Sequence, residues 1–281
     1  MHDRDVSRVG CLSSRLVACW NGHAFVVGEP TGGSTAGRTV GMMRAVMCER
    51  HGSVDDLVLR EIPTPEVRPG TVRLRVLAAG VNQLDKLMIG GTHQVSVATP
   101  FVPGNEYVGT IVDLADDVAR DAPHLTLGAR VMALSNGGGF AEQAVVPAHA
   151  VTVVPDAISD EQAATFAMSY LTAVFALRRR AGVERGETVL VIGAGSGVGL
   201  AAVDVAASLH LRVVAAASTD EQRRLASDRG AETAFDVNSD DIETDVLALM
   251  AAEGKDGVDH VLDPVGGERA ETCLLYTSPS P

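Results

Sequence analysis

Apolar positions follow two rhythms along this chain, and the change near Pro155 divides it into a β-rich part and an α/β part. Met42-Met43-Arg44-Ala45-Val46-Met47 opens a strand-like pattern, and residues 72–78 (V-R-L-R-V-L-A) alternate apolar and basic side chains with period two, as a half-buried strand requires. Residues 108–114 and 129–134 read as further strands. Pro63, Pro65 and Pro69 interrupt the first hairpin-like region, because proline lacks a ladder donor. Beyond Pro155, Ser159-Asp160-Glu161 caps an alanine-rich helix running toward Phe166, and residues 170–180 form a second helix ending at Gly182. From Thr188 the pattern alternates: strand 189–192, helix 198–209, strand 212–217, helix 220–229, strand 233–235, helix 241–252 and strand 258–262. That alternation predicts an α/β fold with a parallel doubly wound sheet of order 3-2-1-4, whose ligand lies at the strand carboxyl ends where the order reverses. Residues 193–199 and 263–267 then line one crevice.

Between the strand at 189–192 and the helix at 198–209 stand Gly193, Ala194, Gly195, Ser196, Gly197, Val198 and Gly199. Four glycines let backbone amides approach a pyrophosphate at a helix N-terminus, an approach that side chains would block. Strict G-x-G-x-x-G is not met, because position 198 is valine, so the strand-to-helix context carries the reading. The alternative is a turn that only packs helix against strand. The second strand ends Ala215-Ala216-Ala217-Ser218-Thr219, without the carboxylate that NAD-type sites aim at the ribose hydroxyls. Ser218, Thr219 and Arg223 suit a 2′-phosphate instead, so NADPH is the expected coenzyme, while Asp220 and Glu221 suit the first turn of the next helix. A solvated helix face is the other reading of Arg223 and Arg224. The loop after the fourth strand adds Asp263, Val265 and Gly266 to the expected cofactor-binding set.

A chain of 281 residues with 46% hydrophobic content can build two globular domains. Its net charge of -13 opposes nucleic-acid or anionic-membrane binding and leaves a small-molecule substrate. Cys11, Cys19, Cys48 and Cys273 show no C-x-x-C or Cys/His spacing, so neither a disulfide framework nor a zinc site is expected, and a cytoplasmic location is the default. No apolar run approaches the ~20 residues of a membrane span. Residues 1–41 are Gly/Ser/Thr/Arg-rich without sustained periodicity and read as a non-native or disordered extension; a transit peptide is the rival, opposed by Asp3, Asp5 and Glu29. Residues 273–281 (C-L-L-Y-T-S-P-S-P) resemble a reading frame of a sequencing adapter and read as a non-biological tail, so the native protein is expected to continue past Thr272.

Seven segments in register carry a family resemblance. They are M-R-A-V-M (43–47), A-A-G-V-N-Q-L-D (78–85), P-F-V-P-G-N-E-Y-V-G (100–109), G-G-F-A-E-Q-A-V-V-P (138–147), Y-L-T-A (170–173), G-E-T-V-L-V-I-G-A-G-S-G-V-G (186–199) and G-V-D-H-V-L-D-P-V-G-G (257–267). Over roughly residues 43–272 the chain resembles the medium-chain dehydrogenase/reductase superfamily, in its zinc-free NADPH:quinone oxidoreductase (zeta-crystallin-like) branch. The resemblance implies a GroES-like β-rich catalytic domain at 42–160 and a Rossmann NADPH-binding domain at 161–272, truncated to about four of six strands. A full-length protein would be a homodimer. The truncated chain is expected to be poorly soluble, with the strand at 258–262 left as an unpaired edge, and a chain without activity is a further alternative.

Zinc-dependent relatives place a cysteine where this chain has Asn82, a histidine where it has Asn105, and a four-cysteine lobe where residues 109–145 have none, so the resemblance implies no zinc. Glu106 keeps a hydrogen-bonding role. The implied reaction is hydride delivery from NADPH to a quinone or other α,β-unsaturated carbonyl, with donors stabilising charge on the acceptor oxygen. The candidate catalytic residues are Asn82, Asp85 and His93. Asn82 matches the family asparagine beside the nicotinamide ribose, or forms a turn; Asp85 acts chemically, or caps its helix. His93 stands where many relatives have tyrosine and could protonate an enolate, or is simply exposed. Thr172 matches a threonine directed at the nicotinamide amide or phosphates, or satisfies local backbone. Arg223 lies one residue beyond the relatives' lysine, which here is Gln222. An enoyl-thioester reductase and a non-catalytic NADPH-binding protein are the alternative functions.

Overall fold

The computed structural model describes residues 41–239 and 242–266, together with the backbone of 16–17 and 24–27. The chain divides into two compact units between Ala167 and Met168.

The first unit runs β1 (Leu16–Val17), β2 (Ala24–Val27), β3 (Met42–Met47), β4 (Val58–Pro63), β5 (Thr71–Gly80), α1 (Gln83–Ile89), β6 (Glu106–Leu114), α2 (Asp116–Asp121), β7 (Arg130–Leu134), β8 (Gln143–Pro147), β9 (Val151–Val153) and α3 (Asp160–Ala163). The principal sheet has the order β1-β2-β5-β6-β7-β9, with β8 also pairing β5, and its pairings are antiparallel. β3 and β4 form a separate hairpin whose last pair is Met42 with Pro63, where proline ends the ladder. Along β5, Val72, Leu74 and Val76 are buried while Arg75 is exposed, so the period-two reading holds. Within residues 1–41, read from the sequence as a non-native or disordered extension, two short strands lie at 16–17 and 24–27. The β-prone run A-F-V-V of β2 pairs with residues 78–80 of β5, giving that strand's backbone a ladder partner.

Tyr107 of β6 is fully buried, and its phenol is hydrogen-bonded to Ser135 Oγ at 3.1 Å. Burial pushes this phenol up to about 12, against the opposing Ser135 bond. Because the folded value lies above the ordinary tyrosine value of about 10, the stability that Tyr107 contributes is complete below that pH. It is lost as pH rises through about 12. Tyrosinate absorbance followed against circular dichroism should therefore show this residue ionising only near the alkaline unfolding transition.

In the second unit, α4 (Ala167–Val174) passes into a π-helical stretch, Phe175–Ala181, that Gly182 ends in the left-handed region (φ 65°). The helix thus begins three residues earlier than the sequence pattern indicates. There follow β10 (Thr188–Ile192), α5 (Gly197–Ser208), β11 (Arg212–Ala217), α6 (Asp220–Asp228), β12 (Thr233–Asp236), α7 (Ile242–Ala251) and β13 (His260–Leu262). The sheet is parallel with order β12-β11-β10-β13, which is the expected 3-2-1-4. All five residues of β10 are buried. Val189 and Val191 pack with α5 residues such as Ala202 and Ala206, whereas Leu190 and Ile192 pack with Val246 and Met250 of α7, so helices cover both faces. β13 is shorter than the run at 258–262; just before it, Asp259 N donates to Thr188 O (3.0 Å) and the Asp259 carboxylate accepts from Thr188 N (2.7 Å).

Candidate functional site

In the second unit β10 delivers the chain at its carboxyl end into a tight turn. Gly193 takes φ 64°, Ala194 N donates to Ala216 O (3.0 Å) and Ser196 N to Gly193 O (2.9 Å), which fastens the turn to β11. Ser196 is the N-cap of α5, its hydroxyl accepting from Gly199 N at 3.1 Å. The amides of Gly195, Gly197 and Val198 have no hydrogen-bond partner among the described residues. Three unsatisfied donors at a helix N-terminus, where the macrodipole is positive, suit a phosphate. Gly199 serves the packing: a Cβ there would overlap Gly193 O. At Gly193 a Cβ would overlap Val265 Cγ2, so the loop after β13 closes against this turn as the crevice reading expects. Asp263 holds that loop, its Oδ1 accepting from Val265 N (2.9 Å) and Gly266 N (3.0 Å).

The ribose end differs from the sequence reading in one respect. Arg223 is drawn inward: Nη1 donates to Ala217 O (2.9 Å), Nη2 to Asp220 Oδ1 (2.5 Å), and Asp236 lies 3.5 Å away. Its guanidinium is committed to holding α6 on the ends of β11 and β12. Ser218 and Thr219 present their amides to Gln222 Oε1, at 3.2 and 3.3 Å, and Thr219 Oγ1 in turn accepts from Gln222 N. Gln222, noted in the sequence only as the position of the relatives' lysine, is the residue that ties this strand end to α6. The signal was present in Thr219-Asp220-Glu221-Gln222, the S/T-x-x-Q capping box. Thr172 is exposed and donates to Met168 O (2.7 Å), the local backbone bond.

In the first unit, Asn82 is the N-cap residue of α1, immediately after β5. Its side-chain Nδ2 donates to Glu106 Oε2 (3.1 Å) at the start of β6, and Glu106 is completely buried. Asp85 fills the capping role of its two: Oδ2 accepts from Asn82 N (2.8 Å), and Oδ1 from Gly104 N (3.2 Å), Asn105 N (3.1 Å) and Asn105 Nδ2 (2.6 Å). Burial raises its carboxyl above the ordinary range, and these four donors pull the other way. Asn105 Oδ1 is buried without a hydrogen-bond partner. His93 lies in the loop after α1, where its Nδ1 is 3.1 Å from Val95 N and 3.2 Å from Val95 O. The unit therefore brings Asn82, Asp85, Asn105 and Glu106 together, and no bond joins His93 to them. Among the described residues no group of three or more His, Cys, Asp or Glu could hold a metal, and no helix is long and apolar enough to cross a membrane.

A β-rich unit followed by a parallel sheet with a glycine turn at its switch point defines the class of two-domain nucleotide-binding α/β proteins. Residues 68–156 match the family model of the alcohol dehydrogenase GroES-like domain, and residues 197–280 that of zinc-binding dehydrogenase. Quinone oxidoreductase-like protein 2 of Bos taurus is 36% identical over 213 residues, covering 75% of this chain and 59% of the relative. Quinone oxidoreductase of Homo sapiens is 34% identical over 196 residues, covering 69% and 58%. The solved quinone oxidoreductase of Thermus thermophilus, determined also with NADPH, superposes with TM-score 0.70 at 38% identity over 83% of this chain and 70% of that one. The chain belongs to the medium-chain dehydrogenase/reductase superfamily, with a GroES-like domain and a Rossmann-type sheet. It spans about three fifths of the length of the curated relatives it matches.

Proposed function

We propose that the protein is an oxidoreductase that transfers hydride from NADPH to a quinone or other α,β-unsaturated carbonyl, without zinc. The observation that carries this reading is the set of three unsatisfied amides, Gly195, Gly197 and Val198, at the start of α5. They donate to the diphosphate, and the glycines keep side chains out of its way. The similarity to quinone oxidoreductases, one of them solved with NADPH, supports the choice of coenzyme and acceptor.

Bound NADPH supplies the hydride. The chain's own part is positioning and charge stabilisation. Glu106 accepts from one amide N–H of Asn82, which fixes the carboxamide plane and leaves its other N–H and its oxygen for the ribose or the acceptor. His93, in the loop after α1, supplies a ring N–H to the oxygen that gains charge. The side chains gathered around α1 are the carboxamides of Asn82 and Asn105 and the carboxylates of Asp85 and Glu106, both carboxylates already hydrogen-bonded to these asparagines, a poor set for zinc, which takes thiolate, imidazole and free carboxylate.

Titration calorimetry should give NADPH binding in the micromolar range, and NADPH-dependent reduction of 1,4-naphthoquinone should survive exhaustive treatment with a zinc chelator. Absence of NADPH binding, or loss of turnover on chelation that zinc restores, would sink the reading; preferential turnover of crotonyl-thioester would reassign the acceptor.

A further inference from the structure

The loop that follows α1 carries His93, and both of its ends rest on one side chain from a distant turn, His51, a few residues after β3. At the near end the imidazole lies against Gly91, which takes φ 67°. A Cβ placed on Gly91 would stand 2.9 Å from His51 Cγ, 3.1 Å from its Cβ and 3.3 Å from its Cδ2, so only glycine admits the ring there. At the far end the imidazole meets Phe101, with ring centroids 6.2 Å apart at 46°. The same turn holds the carboxyl end of α1. His51 Nδ1 lies 3.2 Å from Met88 O, and since a carbonyl can only accept, this nitrogen donates. Gly52 N donates to Ile89 O (3.0 Å), while Cys48 and Phe101 exchange both backbone bonds, at 2.8 and 3.1 Å. Residues 94–96, between these anchors, are exposed.

We propose that His51 is a positioning residue for the hydride transfer: by clasping both ends of the loop at 91–101 it fixes where His93 presents its ring N–H. This rests on the reading of His93 as donor to the acceptor oxygen. Tying both ends of a loop to one rigid ring removes conformations that the intervening residues would otherwise sample, and a donor displaced by an ångström loses much of its effect on rate. Imidazole suits the task. It combines a flat face for Gly91, an aromatic contact for Phe101 and an N–H aimed at the end of α1, where the helix carbonyls gather negative charge. His51 itself is exposed, so its removal opens no cavity in the core and the variants that test it should fold.

The test combines amide hydrogen exchange with the kinetics of NADPH-dependent 1,4-naphthoquinone reduction in the wild type, His51→Ala, His51→Asn, His93→Ala and the double variant His51→Ala/His93→Ala. The amides of Thr92 and His93, both bonded to Leu87 O, report on the loop. In His51→Ala they should exchange about tenfold faster and kcat/KM should fall about tenfold, the scale of one or two lost contacts. NADPH affinity should stay within about twofold, because the glycine turn lies in the other unit. His51→Asn keeps an N–H at the place of Nδ1 and should recover most of the rate. Once His93 is alanine, adding His51→Ala should cost less than about twofold, since the group being positioned is gone. Unchanged exchange in His51→Ala, or an equal kinetic loss with and without His93, overturns the proposal. A wild type that does not reduce the quinone, or a His93→Ala variant as fast as wild type, removes the functional reading and the catalytic consequence drawn from it, while the exchange rates still decide whether His51 holds the loop.

Discussion

Replacing Asp85 with alanine should destabilise the protein by about 3–5 kcal/mol, a large share of a typical domain's margin. The carboxylate is 1% exposed and receives four donors from two loops: Asn82 N on one side, and Gly104 N, Asn105 N and Asn105 Nδ2 on the other. Alanine leaves them buried and unpaired, each at a cost of about 1–3 kcal/mol, with partial relief where the loops relax toward water. Asp85→Asn should cost less, about 1–3 kcal/mol, since one carbonyl oxygen survives while the new NH2 faces donors. Urea denaturation measures both. The pH dependence has a defined sign. Burial raises the folded carboxyl above its unfolded value, so the increment tied to its protonated form is present below about pH 3.9 and is lost as pH rises through the folded value. The gap between wild type and Asp85→Ala should therefore widen on acidification through that window. A catalytic Asp85 would instead give a stable, inactive alanine variant.

Gly199→Ala should cost about 3 kcal/mol and more than a tenfold loss of NADPH affinity. The added methyl would overlap Gly193 O and stand 2.8 Å from Gly193 C and 2.9 Å from Ala194 Cα, all backbone. No rotamer can relieve such a clash, so α5 must slide off β10, opening the packing of Ala201, Ala202 and Val205 and displacing the amide donors. Gly195→Ala is the control. Its methyl meets only the Gln222 side chain, Cδ and Cγ at 2.5 Å and Cβ at 2.7 Å, and since the Cβ moves only with α6 the variant should cost less than Gly199→Ala without being neutral, while nucleotide affinity shifts. Thermal melts alongside calorimetry separate the two outcomes.

What was legible in the sequence was whatever periodicity reports. The alternation at 72–78 fixed which face of β5 is buried, and the strand-helix alternation after Thr188 yielded the parallel order and the position of the glycine turn. Contacts between loops distant in sequence were not legible. Asp85 meets residues 104–105 some twenty positions on, and nothing in the local pattern distinguishes that carboxylate from an ordinary helix cap. Arg223 illustrates the same limit: a basic residue after a strand end looks available to a phosphate until Asp236, thirteen residues later, is seen beside it. The pairing of β1 and β2 was not legible because two brief apolar runs without sustained periodicity acquire meaning only when a sheet edge lies alongside.

β10 contributes alternate side chains to two separate interiors, so neither helical layer can loosen without disturbing the ribbon on which the other rests. The anion seat opens directly from the end of that ribbon. Its donors are therefore aimed before any ligand arrives, and the entropy of ordering them is spent when the chain folds, which leaves more of each amide contact to appear as affinity.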